Sequence, residues 1–441
     1  MESELRTYKQ KDNEIIKTQI VSLDSWNDLC FVRPKYSIEA FKQFCYIYEH
    51  YIIASFPYIF AQIVLFTLPE DEEIEIPDVE DKYGEINDPF IKASIAMNEG
   101  VKISDKKPIF RDEKIESFYK KLEEKGLVKI VSGKRKATKI IPVSHDCGFM
   151  SQCAGQVKVN SSFFIMDFID VATVYDLLGT PLGLMVKDGK IISPPLFERE
   201  ALLVDEAGKV SIRKVKLEDL KIFINGKEIT GKIFERPYYR NSDESDEDDI
   251  VIIGDEVKAV KRNGACKVPS SGFVLRVEKG HDIKPGDKVE YKGLEGYRFG
   301  VQVGCSAIVD GIRSEAFLSP FYDLRKIGSI SFPPSLYPLN YKKSRAARIL
   351  LGSDKDDKPV IVWAEGPGKF GHQKGLESAG ASLSEMAMIG EDVGLVNAVN
   401  LDGGGSAQIL LEDERFLRLT DRNKEDDREL ERAVPVILTY R

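Results

Sequence analysis

The residues best suited to chemistry stand together at Asp402-Gly403-Gly404-Gly405-Ser406, between the apolar segments Val396–Leu401 and Ala407–Leu411. Both flanks read as strands. A plain hairpin needs one or two glycines, and three in a row forfeit conformational entropy and side-chain packing. Such a run permits positive φ, lets a ligand approach the backbone, and can present consecutive N–H groups as an anion-binding nest. Asp402 then sits beside a place suited to phosphate. The plainer alternative is a flexible turn with a solvated acid.

Four further groups qualify. Ser382-Leu383-Ser384-Glu385 has the form of a capping box opening a helix that stops at Gly394, which gives Glu385 a structural explanation as well as a chemical one. Arg348 begins the apolar run Ile349-Leu350-Leu351; it is either a surface cap or a bidentate phosphate clamp. Asn160 ends the strand-like Val157-Lys158-Val159, where its amide either orients a sugar hydroxyl or holds a turn. Lys369 and His372 lie in the glycine-studded loop 366–375, whose composition suits a mobile lid or a plain loop.

The elements that must position these residues are mostly strands. From about residue 140 onward the chain is β-rich with short turns. Asp188-Gly189 and Asn225-Gly226 sit between apolar runs and predict hairpins, and Pro285-Gly286 predicts a turn into another strand. The acidic run Ser242–Asp249 predicts a solvated loop able at most to recruit a cation. Residues 1–135 read as a separate, smaller N-terminal α/β region of unassigned role. Within it, Ile115, Phe118, Tyr119 and Leu122 are spaced for one helix face. The helix, the short strand after Leu127, the basic Lys134-Arg135-Lys136 and a second strand also match the end of a winged helix near 113–141. That pattern would engage nucleic acid, although a basic hairpin turn is the commoner explanation. The expected fold is therefore α+β, with a β-rich mixed-sheet catalytic domain of few helices at 136–441.

Bulk properties narrow the partners. A net charge of −9 from 63 basic and 72 acidic residues makes general nucleic-acid binding a poor fit. The apolar stretch Tyr51–Leu68 contains Pro57 and Gln62 and is shorter than the roughly 20 clean apolar residues of a membrane span; it reads as core, a helix and a strand or two strands. The N-terminus has no apolar signal core, and six cysteines without metal-binding spacing suit a reducing, cytoplasmic setting. No metal and no cofactor are expected.

Taken in order, these segments resemble the phosphodiester glycosidase family over about residues 140–441. The resemblance rests on Val159-Asn160-Ser161-Ser162-Phe163-Phe164, Gly179–Leu184 with Asp188-Gly189-Lys190, Val268–Leu275 with Gly286–Val289, Arg348–Gly352, Ser382–Ala387 and Asn400–Ser406. It implies hydrolysis of a small sugar-1-phosphodiester. On that reading Asp402 is base or nucleophile, with Glu385 as its partner. Arg348 and the amides of Gly403, Gly404 and Gly405 hold phosphate, Asn160 binds sugar hydroxyls, and Ser406, Lys369 and His372 contact substrate. Cleavage of a P–O bond and binding without turnover are the competing readings.

Overall fold

The computed structural model describes residues 1–55, 61–79, 81–133, 136–236, 238–315, 344–368 and 371–441. A seven-stranded antiparallel sheet runs in the order Glu2–Lys9, Ile15–Ser22, Pro359–Ala364, Arg348–Ser353, Asn397–Asn400, Ser306–Val309, Ile312–Arg313. Side chains alternate across it. Ile349, Leu351, Ile361 and Trp363 enter one core, whereas Leu350, Val360 and Val362 enter another beneath the helix Leu383–Val393, as the two-residue period of a strand requires. A second, four-stranded antiparallel sheet runs Leu29–Val32, Ile437–Tyr440, Val157–Asn160, Ile409–Leu411. Phe31, Val159, Ile409 and Leu438 from it share the first core with the large sheet. The architecture is α+β and rich in strands, with four α-helices among the described residues.

Residues 61–142 build a smaller α/β layer. Its sheet runs Lys107–Phe110, Val101–Ser104, Lys136–Pro142, Ala61–Phe66, Val128–Val131, with the helices Pro89–Gly100 and Glu113–Glu124 packed on it. Ile115, Phe118, Tyr119 and Leu122 are all buried, and Asp112 caps their helix through the Ile115 N–H at 3.0 Å. Two expectations change here. The strands on either side of the basic turn do not pair with each other, because Ala61–Phe66 lies between them, parallel to one and antiparallel to the other. Among the described residues these two strands therefore form no wing-like hairpin; Lys134 and Arg135 lie outside the described residues. The boundary expected at 135 also falls inside this sheet. Moreover, residues 2–22 belong to the large sheet and Leu29–Val32 to the four-stranded one, so the first third of the chain is woven into the rest.

The apolar stretch forms the end of the helix Ile38–Ser55 and the strand Ala61–Phe66, whereas Pro57 lies outside the described residues. No helix among the described residues is long and apolar enough to cross a membrane. The Asp-Gly and Asn-Gly hairpins form as expected, with positive φ at Asp188, Gly189, Asn225 and Gly226. The acidic run is not a free loop throughout. Asp248 and Asp249 are buried at the start of the strand Asp248–Ile253, because Arg276 donates to Asp249 at 2.9 Å and Arg262 donates to Asp248.

Candidate active site

The glycine loop is not a hairpin. The strand Asn397–Asn400 lies in the seven-stranded sheet and Ile409–Leu411 in the four-stranded one, so the loop carries the chain from one sheet to the other. The Leu401 N–H donates to the Ile349 carbonyl at 2.8 Å and the Asp402 N–H to Ser161 at 3.0 Å. Asn160, 1% exposed, staples the crossing. Its Nδ2 donates to the Asp402 carbonyl at 2.8 Å and its Oδ1 accepts from the Gln408 N–H at 3.0 Å. Asn160 thus holds the turn, the alternative its position at a strand end allowed.

Each glycine has its own reason. A Cβ on Gly403 would stand 2.7 Å from the Ala347 carbonyl oxygen, Gly404 has φ +59°, and a Cβ on Gly405 would strike the Arg432–Asp421 pair. The close approach is made by the protein's own groups. The Gly403 N–H donates to Asp402 Oδ1 at 2.9 Å and the Gly404 N–H to Ala347 at 2.8 Å. The expected nest of three amides is not formed, because two of them are engaged within the fold.

Asp402 is partly accessible, yet its surroundings are dry enough that burial pushes its carboxyl up to about 7, against the Ser406 hydroxyl, the Arg432 charge, the Gly403 N–H and the Arg348 charge, which all favour the anion. An acid poised there exchanges a proton near neutral pH. Beneath the loop, Arg432 grips Asp421 with both ends of its fork, at 2.7 and 3.0 Å, and its third nitrogen reaches Ser406 Oγ at 3.3 Å. Arg432, Asp421 and Ser406 are all buried. A buried ion pair is tolerated when its hydrogen bonds are this complete. Sequence reasoning missed Arg432 and Asp421. The only local signal is an arginine opening the apolar run Ala433–Leu438, and the fold alone carries it to Ser406.

Arg348 is buried, donating to the carbonyls of Ala381 and Ser344 at 3.3 Å each, and its charge reaches Asp402. It is not a surface cap. Glu385 completes the capping box, accepting from the Ser382 N–H at 2.9 Å while Ser382 Oγ accepts from its own N–H at 3.2 Å. The same carboxylate takes the fork of Arg345, Nε lying 3.1 Å from both oxygens. Burial works to raise its pKa, but the bonds from Arg345 and Ser382 outweigh burial and hold it below the ordinary range. His372 pairs with Glu14 at 2.7 Å in a pocket of about 340 Å³ that also takes in Glu365, Arg418 and Arg422; Lys369 lies outside the described residues. The fold therefore gathers Asp402, Gly403, Gly404, Gly405, Ser406, Asn160 and Arg348. It commits Glu385 to Arg345 and His372 to the N-terminal hairpin. No group of three or more metal-binding side chains is found among the described residues.

A two-sheet scaffold presenting one proton-exchanging carboxylate on a glycine crossing suits a hydrolase. Residues 305–440, which hold that crossing, match the phosphodiester glycosidase family. No curated protein matches the chain. Among solved structures, a hypothetical protein from Synechocystis is similar at 14% identity and a TM-score of 0.42, with 99% of this chain covered; the chain spans 61% of that protein's length. The zebrafish N-acetylglucosamine-1-phosphodiester alpha-N-acetylglucosaminidase catalytic domain, auto-inhibited by its pro-peptide, is similar at 12% identity and a TM-score of 0.39, with 100% of this chain and 82% of that one covered.

Proposed function

We propose that the chain hydrolyses a sugar-1-phosphodiester at the C1–O bond, releasing free sugar and a phosphomonoester, with N-acetylglucosamine-1-phosphodiesters the first class to test. The observation that carries this is the Asp402 carboxyl, held at about 7 on the sheet crossing. Water attacks C1, Asp402 takes its proton, and the electrons of the breaking C1–O bond leave on the phosphate oxygen. Asp402 as nucleophile, followed by hydrolysis of the glycosyl ester, balances equally. A phosphomonoester is a good leaving group, so no strong general acid is needed. That agrees with Glu385 being tied to Arg345. Arg348 supplies positive charge beside the leaving phosphate, and Ser406, backed by Arg432, holds Asp402 in place. Asn160 positions the loop. The six free cysteines support the further proposal of a reducing, cytoplasmic setting.

The test is a panel of sugar-1-phosphodiesters, UDP-N-acetylglucosamine included, run in ¹⁸O-labelled water. Native protein releases free sugar carrying the label, and Asp402→Asn loses about 100–1,000-fold in rate, as when an electrostatic stabiliser is removed. Label in the phosphate instead moves the cleavage to P–O. Full activity in Asp402→Asn, or binding of these ligands without product, overturns the proposal.

A further inference from the structure

A second pocket, of about 420 Å³, lies where the α/β layer meets the β-rich body. The helix Pro89–Gly100, the strand Lys136–Pro142, the segment 171–175 and the turn around Lys267 enclose it. Four of its lining residues are lysines, Lys82, Lys139, Lys261 and Lys267, and none is a carboxylate. This is the reverse of the chain as a whole, whose net charge is −9.

The charges are incompletely neutralised. Lys82 pairs with Glu99 just outside the lining and rests 5.1 Å from the centre of the Tyr83 ring. Lys261 donates to the Lys82 carbonyl at 2.8 Å, and Lys139 to the carbonyls of Phe168 and Val171. Lys139, Lys261 and Lys267 form no ion pair among the described residues, and Lys267 is exposed. Burial holds Lys139 below its ordinary range, outweighing Asp176, Asp170 and Asp167 behind the wall, which favour its charge. Burial holds Asp167, Asp170 and Asp176 above the usual carboxylate range. Asp176 accepts six hydrogen bonds from Ala172, Thr173, Ser270 and Ser271, which favour its anion against burial.

The remaining walls are mostly apolar and aromatic, with Ser94, Asn98 and Thr173 as their polar members. Tyr175 is fixed by its hydroxyl, which donates to the Tyr83 carbonyl at 2.7 Å, and Val171 and Val174 complete the surface. Concave, mostly apolar walls with a few converging polar groups are what small-molecule sites share, and the volume falls in their usual range. We propose that this pocket binds a small anionic ligand with an aromatic body, of the nucleoside-phosphate class, separately from the loop at Asp402. The phosphate would face Lys261 and Lys267, and the ring system would lie against Tyr83 and Val174, with the buried Tyr175 backing them.

The test is calorimetric titration of the full chain with ADP, and with adenosine and inorganic phosphate as its two halves. ADP is expected to bind with a dissociation constant below about 1 mM, at least about ten times tighter than either half. Lys267→Glu is expected to weaken it about tenfold or more, with the thermal midpoint unchanged because Lys267 is exposed; Lys267→Ala should fall between. Raising salt from about 50 to 300 mM should weaken binding too, since the charges are only partly buried. Asp402→Asn should bind like the native chain. Absence of ADP binding, indifference to Lys267→Glu, or loss of binding in Asp402→Asn would each overturn the proposal.

Discussion

Asp402→Asn separates what a buried acid costs from what it does. Burial pushes the folded carboxyl up to about 7, against about 3.9 in an unfolded chain. Below about pH 4 both states hold the proton, so nothing is lost. Between about pH 4 and 7 only the folded state holds it, and stability falls as pH rises; above about 7 the loss is complete. At about 1.4 kcal/mol per pKa unit the whole shift is worth about 4 kcal/mol. Because the side chain is partly accessible, solvent screening brings this to about 2–3 kcal/mol. Roughly half of it, about 1–2 kcal/mol, develops between about pH 5.5 and 8.5. Asparagine keeps an oxygen for the Gly403 N–H and cannot ionise, so the variant should gain that amount on the native chain across this interval. For a chain of this length about 1 kcal/mol moves a thermal midpoint by about 1 °C. The assay is the difference in midpoint, variant minus native, followed across that pH range. A difference that does not change with pH refutes the raised carboxyl and the acid–base reasoning built on it.

Three other outcomes follow from the same geometry. With Asp402 as base, kcat/KM should climb about tenfold per pH unit below about pH 7 and level off above it; a profile that instead falls through 7 would make Asp402 the acid. Glu385→Gln keeps the reciprocal cap through its remaining oxygen but loses the charge and one of the two acceptors that face Arg345, so turnover should stay within about threefold and stability should drop by about 1 kcal/mol; a loss of 100-fold would restore Glu385 as a catalytic partner. Gly405→Ala drives a methyl into the Arg432–Asp421 pair and should destabilise by about 1–3 kcal/mol, read as a lower thermal midpoint, whereas Gly208→Ala, whose added carbon meets nothing within 4 Å, serves as a control that is strained only at its own φ.

Local chemistry was legible in the residues. The capping box, the Asp-Gly and Asn-Gly hairpins, the helix face of Ile115 to Leu122 and the importance of the glycine run each depend on neighbours in sequence. What was hidden depends on partner choice at long range. Two apolar runs flanking a turn look the same whether the strands pair or part, so the crossing between sheets at Asp402 could not be read. Asn160 announces a turn but not that the turn is Asp402 and Gln408. Arg276 lies far along the chain from Asp249, which is why an acidic run that reads as solvated ends in a buried ion pair. The strand Ala61–Phe66 inserts between two strands that sequence order places side by side, and this removed the wing.

The weaving of the first strands into the large sheet has a consequence for how the chain is made. Ile20 pairs with Val362 and Phe31 with Leu438. At roughly 5–20 residues per second of synthesis, the early strands wait about 20–80 s for those partners to be made. During that interval Ile15–Ser22 has only the hairpin with Glu2–Lys9, and its other edge of unpaired N–H and carbonyl groups is open to any extended chain nearby. That edge closes only when Pro359–Ala364 pairs with it, and the sheet on which the glycine crossing is hung is completed from that step onward.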